Sequence, residues 1–208
     1  MSEASGNKAA SLRQGLLLVL SGPAGAGKST VLRTAVEGDA AVRFSVSCTT
    51  RPAREDEVDG IDYHFLSDDE FSAKLGAGEF LEHASVHKWR YGTLRASVID
   101  LIEGGFDVIM DIDIQGAEQI RACSDSLISR THVDVFMMPA DSAELERRLR
   151  ARGSEDEETV RLRMKAALAE LEHWRHYTYR ILSSSREADY ASFANILRAE
   201  RLRVTRFI

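Results

Sequence analysis

Residues 22–29 read Gly22-Pro23-Ala24-Gly25-Ala26-Gly27-Lys28-Ser29, a G-x-x-x-x-G-K-S spacing. The chemistry this allows is phosphate binding. Glycines let successive backbone N–H groups turn inward around a phosphate chain. A lysine placed as Lys28 is reaches the outer phosphates, and a hydroxyl placed as that of Ser29 can sit on a magnesium ion. The expected ligand is a nucleoside triphosphate. A second group, Ser47-Cys48-Thr49-Thr50-Arg51-Pro52-Ala53-Arg54 with Tyr63 beyond, could clamp one further phosphate, because planar guanidiniums bind phosphate oxygens in pairs. Taken alone these residues lean slightly the other way, towards a solvated turn in which Glu55-Asp56-Glu57 pairs with the arginines. A third group is Asp111 and Asp113, at the end of an apolar run. A hydrophobic strand closed by Asp holds magnesium or its water shell in phosphoryl-transfer sites. Alternation along a strand puts Asp113 on the same face as Asp111.

These residues need a frame that brings them together. Residues 15–21 form a short apolar run, as a buried strand should, and residues 29–37 read as a helix stopped by Gly38. Strand patterns recur at 42–47, 63–66, 79–86, 106–113, 132–138 and 179–182. Helical patterns fall at 67–76, where Ser67-Asp68-Asp69-Glu70 is a capping box, and at 93–103, 141–150, 154–174 and 187–203. Ser154-Glu155-Asp156-Glu157 is a second capping box. This alternation favours an α/β fold around a mostly parallel sheet. Two stretches break the rhythm. Residues 47–92 carry short strands and polar loops, like an inserted subdomain, and residues 140–160 are dense in arginine and acid, like a solvated lid.

Composition narrows the class. The chain has 208 residues, enough for one substantial core, and 44% apolar and 29% charged residues, ordinary for a soluble protein. A net charge of −6 argues against a nucleic-acid polymer as partner, though not against a nucleotide. Cys48 and Cys123 lack metal-ligand spacing and read as reduced thiols of a cytoplasmic protein. Residues 1–14 read as a loose tail without a signal-peptide core. The apolar run at 16–20 is far too short to cross a membrane. The six histidines are scattered.

Over residues 15–206 the chain resembles the bacterial guanylate kinases. The resemblance is carried by Ser45-Val46-Ser47 with Thr49-Thr50-Arg51-Pro52; Gly60-Ile61-Asp62-Tyr63-His64-Phe65; Glu79-Phe80-Leu81-Glu82-His83-Ala84; Tyr91-Gly92-Thr93; Asp111-Ile112-Asp113-Ile114-Gln115-Gly116; and Arg148-Leu149-Arg150-Ala151-Arg152-Gly153. It implies a P-loop nucleoside monophosphate kinase fold: a mostly parallel five-stranded sheet flanked by helices, with an inserted GMP-binding subdomain and a lid. The implied division is a tail at 1–14, core with P-loop at 15–46, GMP-binding subdomain at 47–93, core at 94–139, lid at 140–163, and core with the last helix at 164–208. The implied reaction is magnesium-dependent phosphoryl transfer from ATP to GMP, with protein partners left unspecified. Residues 22–30, ending in Ser29 and Thr30, would bind ATP. Arg51, Arg54, Tyr63 and Tyr91 would hold the GMP phosphate, and Ser47, Glu82, Thr93 and Asp113 would surround the guanine. Lys28, Arg51, Arg152 and Arg163 would offset charge on the transferring phosphates, and Ser29 and Asp111 would serve the metal.

Glu82 has its own physical rationale. Guanine offers N–H donors on adjacent ring and exocyclic nitrogens, and a carboxylate accepts both. Adenine presents an acceptor at that edge, and a buried site built on such bonds rejects it because polar groups go unpaired. Some positions depart from the family pattern. Ser183-Ser184-Ser185 stands where relatives carry Asn-Asp-Asp, the Asn being associated with adenine. His87-Lys88-Trp89-Arg90 replaces a Gly-Asn-aromatic turn, and Leu94 replaces a hydroxyl residue. Two other readings compete. A kinase of another phosphate ester would lack the guanine-reading set, and a silent protein-binding relative would have a degraded P-loop; Glu82 and Lys28 speak against each.

Overall fold

The structure, a computed structural model, describes residues 13–86, 88–150 and 157–207. The chain opens with β1 (Leu17–Ser21), the P-loop and α1 (Lys28–Gly38), then β2 (Val42–Phe44). Next come β3 (Cys48–Thr49), β4 (His64–Phe65), α2 (Asp68–Gly76), β5 (Phe80–Val86) and β6 (Trp89–Leu94). The chain continues through α3 (Arg95–Glu103), β7 (Asp107–Asp111), α4 (Ile114–Arg121), α5 (Ser126–Thr131) and β8 (His132–Pro139). It ends with α6 (Ser142–Arg150), α7 (Glu157–Leu171), a 3-10 turn, β9 (Tyr179–Ser183) and α8 (Arg186–Arg201).

Five strands form a parallel sheet in the order β2-β7-β1-β8-β9. β1 lies at its centre and is buried along its whole length, because helices cover both faces of such a sheet. Period-two alternation divides its side chains. Leu16, Leu18 and Leu20 pack with Val31, Leu32 and Ala35 of α1 and Phe193 and Leu197 of α8. Leu17 and Val19 pack with Val98 and Ile102 of α3 and Ala117 and Ile120 of α4. The order of strands reverses at β1, and ligands of open α/β sheets bind beyond the carboxyl ends of the strands at that point. The P-loop leaves β1 there, and Leu20 is in register with Asp111 of β7.

A second, four-stranded sheet has the order β4-β3-β6-β5, with β5 and β6 antiparallel. Its own small core is Cys48, Phe71 and Phe80. The capping box at α2 is present: Ser67 accepts from the Glu70 N–H, and Glu70 accepts from the Ser67 N–H at 2.8 Å. The second capping box begins at residue 154, outside the described residues.

The fold class agrees with the sequence reading, and several local details do not. Thr93 and Leu94 belong to β6, so α3 begins at Arg95. Thr93 pairs with Glu82 across the ladder, and that tertiary pairing outweighs the local helical pattern. α4 and α5 are absent from the sequence reading, although each carries a visible cap: Asp113 accepts from Gly116 N–H, and Asp125 from the N–H groups of Leu127 and Ile128. β7 stops at Asp111. Asp113 therefore owes its placement to capping a helix, not to strand alternation.

Candidate active site

The P-loop is shaped by backbone conformations that side chains resist. Gly22 has φ +141°, and a Cβ there would lie 2.0 Å from the Met137 carbonyl oxygen. Gly27, at φ 106°, is the left-handed residue that launches α1. The loop so formed keeps the α1 amide ends aimed across the crevice, where they attract anions. Lys28 folds back along it: Nζ donates to the Gly22 carbonyl at 2.6 Å and lies 3.8 Å from Asp111 Oδ1.

A cavity of about 640 Å³ opens between the two sheets. Ser29 and Asp111 line it from the parallel sheet's side, and Ser47, Tyr63, Glu82 and Tyr91 from the other; Asp113 completes the wall. Seven residues singled out from the sequence thus meet at one surface. Glu82 sits at its floor, 4% exposed. Thr93, wholly buried, donates its hydroxyl to Glu82 Oε1 at 2.6 Å, and the Ser47 hydroxyl lies 3.4 Å from that of Thr93. Burial pushes the Glu82 carboxyl above its ordinary pKa; the Thr93 hydrogen bond opposes that shift and the charge of Asp113 adds to it. Asp113 spends one oxygen on the α4 cap at 2.9 Å.

Arg51 and Arg54 part company. Arg51 is 13% exposed and forms a two-pronged pair with Glu57, at 2.8 and 2.9 Å. Its guanidinium carbon lies 5.4 Å from the Tyr63 ring centre. The hydrogen bond from Arg51 holds the Glu57 carboxyl down to about 2. The Arg54 backbone N–H donates to Glu57 at 2.8 Å, but its side chain is 73% exposed and the guanidinium comes only to 3.9 Å from the carboxylate. The arginine–acid pairing expected of a charged turn is therefore present, yet it presents Arg51 beside the cavity, since Glu57, Tyr63 and Tyr91 all line it. Glu57 is a site residue that the sequence reading does not single out. Its signal is the acidic run after the arginines.

A second cavity, about 350 Å³, lies on the far side of the loop and is lined by Gly25, Gly27, Thr30, Arg147, Arg148 and Asp189, among others. The P-loop and first turn of α1 therefore separate two cavities, Ser29 facing one and Thr30 the other. Arg163 lies on an exposed part of α7, and Arg152 is outside the described residues. The neighbouring arginines make local pairs: Arg147 with Glu144 at 2.7 Å, Arg161 with Glu158 at 3.4 Å, and Arg150 with both Glu146 and Glu157.

A P-loop at the switch point of a five-stranded parallel sheet, flanked by two cavities, defines the class: a P-loop kinase of the nucleoside monophosphate kinase type. The family model described as Guanylate kinase matches residues 14–200, and the chain belongs to the guanylate kinase family. The guanylate kinase of Cereibacter sphaeroides is 45% identical over 191 residues, 92% of this chain and 89% of that one. That of Sphingopyxis alaskensis is 45% identical over 196 residues, covering 94% and 87%. A crystal structure of guanylate kinase from Anaplasma phagocytophilum superposes with a TM-score of 0.76 at 33% identity, over 94% of this chain and 91% of that chain. Among the described residues no helix is long and apolar enough to cross a membrane.

Proposed function

We propose that the protein transfers the γ-phosphoryl group of magnesium-bound ATP to GMP, giving ADP and GDP, as a cytoplasmic step of purine nucleotide metabolism. The observation that carries the reading is Glu82. A nearly buried carboxylate, braced by Thr93, faces the cavity that Ser29 and Asp111 also line. On this reading residues 47–93 hold GMP, with Glu82, Ser47, Thr93 and Asp113 at the guanine and Arg51, Tyr63 and Tyr91 at its phosphate. Arg54, exposed and loosely paired, joins them only by moving inward. Residues 22–30 hold ATP, and residues 140–163 act as a lid bringing Arg152 and Arg163 to the transferring group.

The acceptor is a phosphate monoester whose second pKa is about 6, so an oxygen of its dianion is already a nucleophile. That oxygen bonds to the γ-phosphorus, and the bond from this phosphorus to the β–γ bridging oxygen breaks, leaving ADP. No general base is required. Catalysis is positioning and charge neutralisation. Lys28 must leave the Gly22 carbonyl for the phosphates, and Arg51 lowers the repulsion between two anionic substrates. Ser29 and Asp111 supply hard oxygen donors on one surface. That suits magnesium, which takes one or two protein ligands plus waters and phosphate oxygens. When bound, the ion neutralises developing phosphate charge.

The test is ADP release from Mg-ATP with GMP, AMP, CMP and UMP in turn. Release with GMP alone is expected. No release with GMP overturns the reaction; equal use of AMP overturns the role of Glu82.

A further inference from the structure

We propose that Asp189 is a positioning residue for the donor nucleotide, acting through Ser183 on Arg148. The three side chains come from α8, β9 and α6 and form a chain of hydrogen bonds. Arg148 Nη1 donates to Ser183 Oγ at 2.8 Å, and Ser183 Oγ donates to Asp189 Oδ2 at 2.7 Å. The direction is forced. A guanidinium only donates and a hydroxyl has one proton, so Ser183 must accept from Arg148 and give its proton to the carboxylate. The other Asp189 oxygen accepts from the Ser184 N–H at 2.8 Å. Asp189 is 6% exposed and Ser183 1%. A carboxylate so buried needs a counter-charge, and Arg148 supplies it through one hydroxyl.

The far end of the chain is the P-loop. Arg148 Nη1 also reaches the carbonyl oxygens of Ala26 at 3.2 Å and Gly25 at 3.4 Å. Its Nε is held by Glu144 at 2.5 Å. The guanidinium is thereby pinned from two sides at the mouth of the cavity that Thr30 and Asp189 line. Ser183 does not line that cavity; its hydroxyl is spent inside. Where relatives carry the adenine-associated Asn, this chain has Ser183 in a relay, and the carboxylate behind it sets where Arg148 stands. The inference rests on that cavity being the donor-nucleotide site.

The experiment is steady-state kinetics of the full chain with Mg-ATP and GMP varied in turn. Asp189→Ala is expected to raise the KM for ATP about 10-fold, the loss of a hydrogen bond to a charged group, with the KM for GMP unmoved. Ser183→Ala should do the same, and the double variant should be no worse than the worse single one, because both cut one chain. Asp189→Asn, equal in shape, should recover part of the loss. The relay is overturned if Asp189→Ala and Ser183→Ala leave the ATP KM at the wild-type value while Arg148→Ala raises it. It is also overturned if they raise both KM values alike with a lowered melting temperature, a purely structural effect. An Arg148→Ala variant with unchanged ATP KM would instead sink the assignment of the cavity, and the relay with it.

Discussion

Glu82 and Thr93 face each other across the β5–β6 ladder, and the threonine hydroxyl donates to Oε1 of the carboxylate at 2.6 Å. The hydrogen bond positions one carboxylate oxygen in a nearly buried floor, and Glu82 still lines the cavity. A fixed acceptor is what a guanine edge, with two adjacent donors, requires.

Glu82→Gln replaces an acceptor-only group with one that also donates. Loss of a hydrogen bond to a charged partner costs about 1.5–3 kcal/mol, so kcat/KM for GMP should fall about 10- to 100-fold, with the KM for ATP little changed. Burial raises the folded pKa of this carboxyl above 4.5. As pH falls, it therefore protonates earlier than an ordinary glutamate and loses its capacity to accept both guanine donors. In kcat/KM for GMP, both proteins should show the acidic limb set by the GMP phosphate, whose second pKa is about 6; the wild type should fall more steeply because the raised Glu82 carboxyl adds its own protonation, and Glu82→Gln should lose that added fall. An unchanged limb in the variant would refute the assignment.

Gly116 should matter to the acceptor side alone. A Cβ at this α4 position would lie 2.6 Å from Glu82 Oε2. Gly116→Ala therefore pushes the carboxylate off its Thr93 partner, while alanine suits a helix better than glycine. The expected outcome is a KM for GMP raised about 10-fold, with melting temperature near that of the parent. A variant with parental GMP kinetics would mean that the carboxylate position is not set here.

Lys28→Ala should lower kcat about 100-fold or more, the scale seen when one charge-stabilising donor is removed. Lys28→Ala gives up the bond to the Gly22 carbonyl, but the loop's shape is set by its positive-φ glycines, so the far-ultraviolet spectrum and melting temperature should stay close to the parent. Single-turnover assays with Mg-ATP and saturating GMP read this directly.

Asp107, wholly buried, is the hub of a charge cluster away from the site. Arg13 and Arg201 reach it at 2.5 and 2.6 Å, and the Leu16 N–H donates to it at 3.0 Å. Asp107→Ala removes one partner and leaves buried positive charge, which costs about 3–5 kcal/mol. The melting temperature should drop by about 10 °C, with KM values of the remaining folded protein unchanged. Arg201 also binds Asp39 at 2.7 Å. The Ala41 backbone hydrogen bond, then Arg201, holds the Asp39 carboxyl below 3.8. Its contribution is thus present above pH 3.8 and lost as pH falls through the folded value, which acid unfolding of wild type and Asp39→Asn should reveal.

The β/α rhythm is legible because a doubly covered parallel sheet leaves continuous apolar runs, as in β1, β7 and β8. β6 is not: Trp89-Arg90-Tyr91-Gly92-Thr93-Leu94 carries no alternation of its own. Gly92 is there because a Cβ would strike Phe80 at 2.9 Å, a cross-strand demand invisible along the chain. α4 and α5 escape because, at 8 and 6 residues, they are about two turns long or less, shorter than the stretch over which a recurring helical pattern can be read.

The phosphate loop, the capping boxes and the family blocks are determined by the sequence itself, because each depends on neighbours within a few residues. Glu82 alone reads as a surface carboxylate, and Arg51 alone as part of a charged turn. The family blocks assign both to a nucleotide site, but only the tertiary structure supplied the physical placement. It buried Glu82 behind Thr93, held Arg51 beside the cavity against Glu57, and joined Arg148 to Asp189 through Ser183. Burial and the partners brought from distant elements set a side chain's charge and orientation, and neither is written in local spacing.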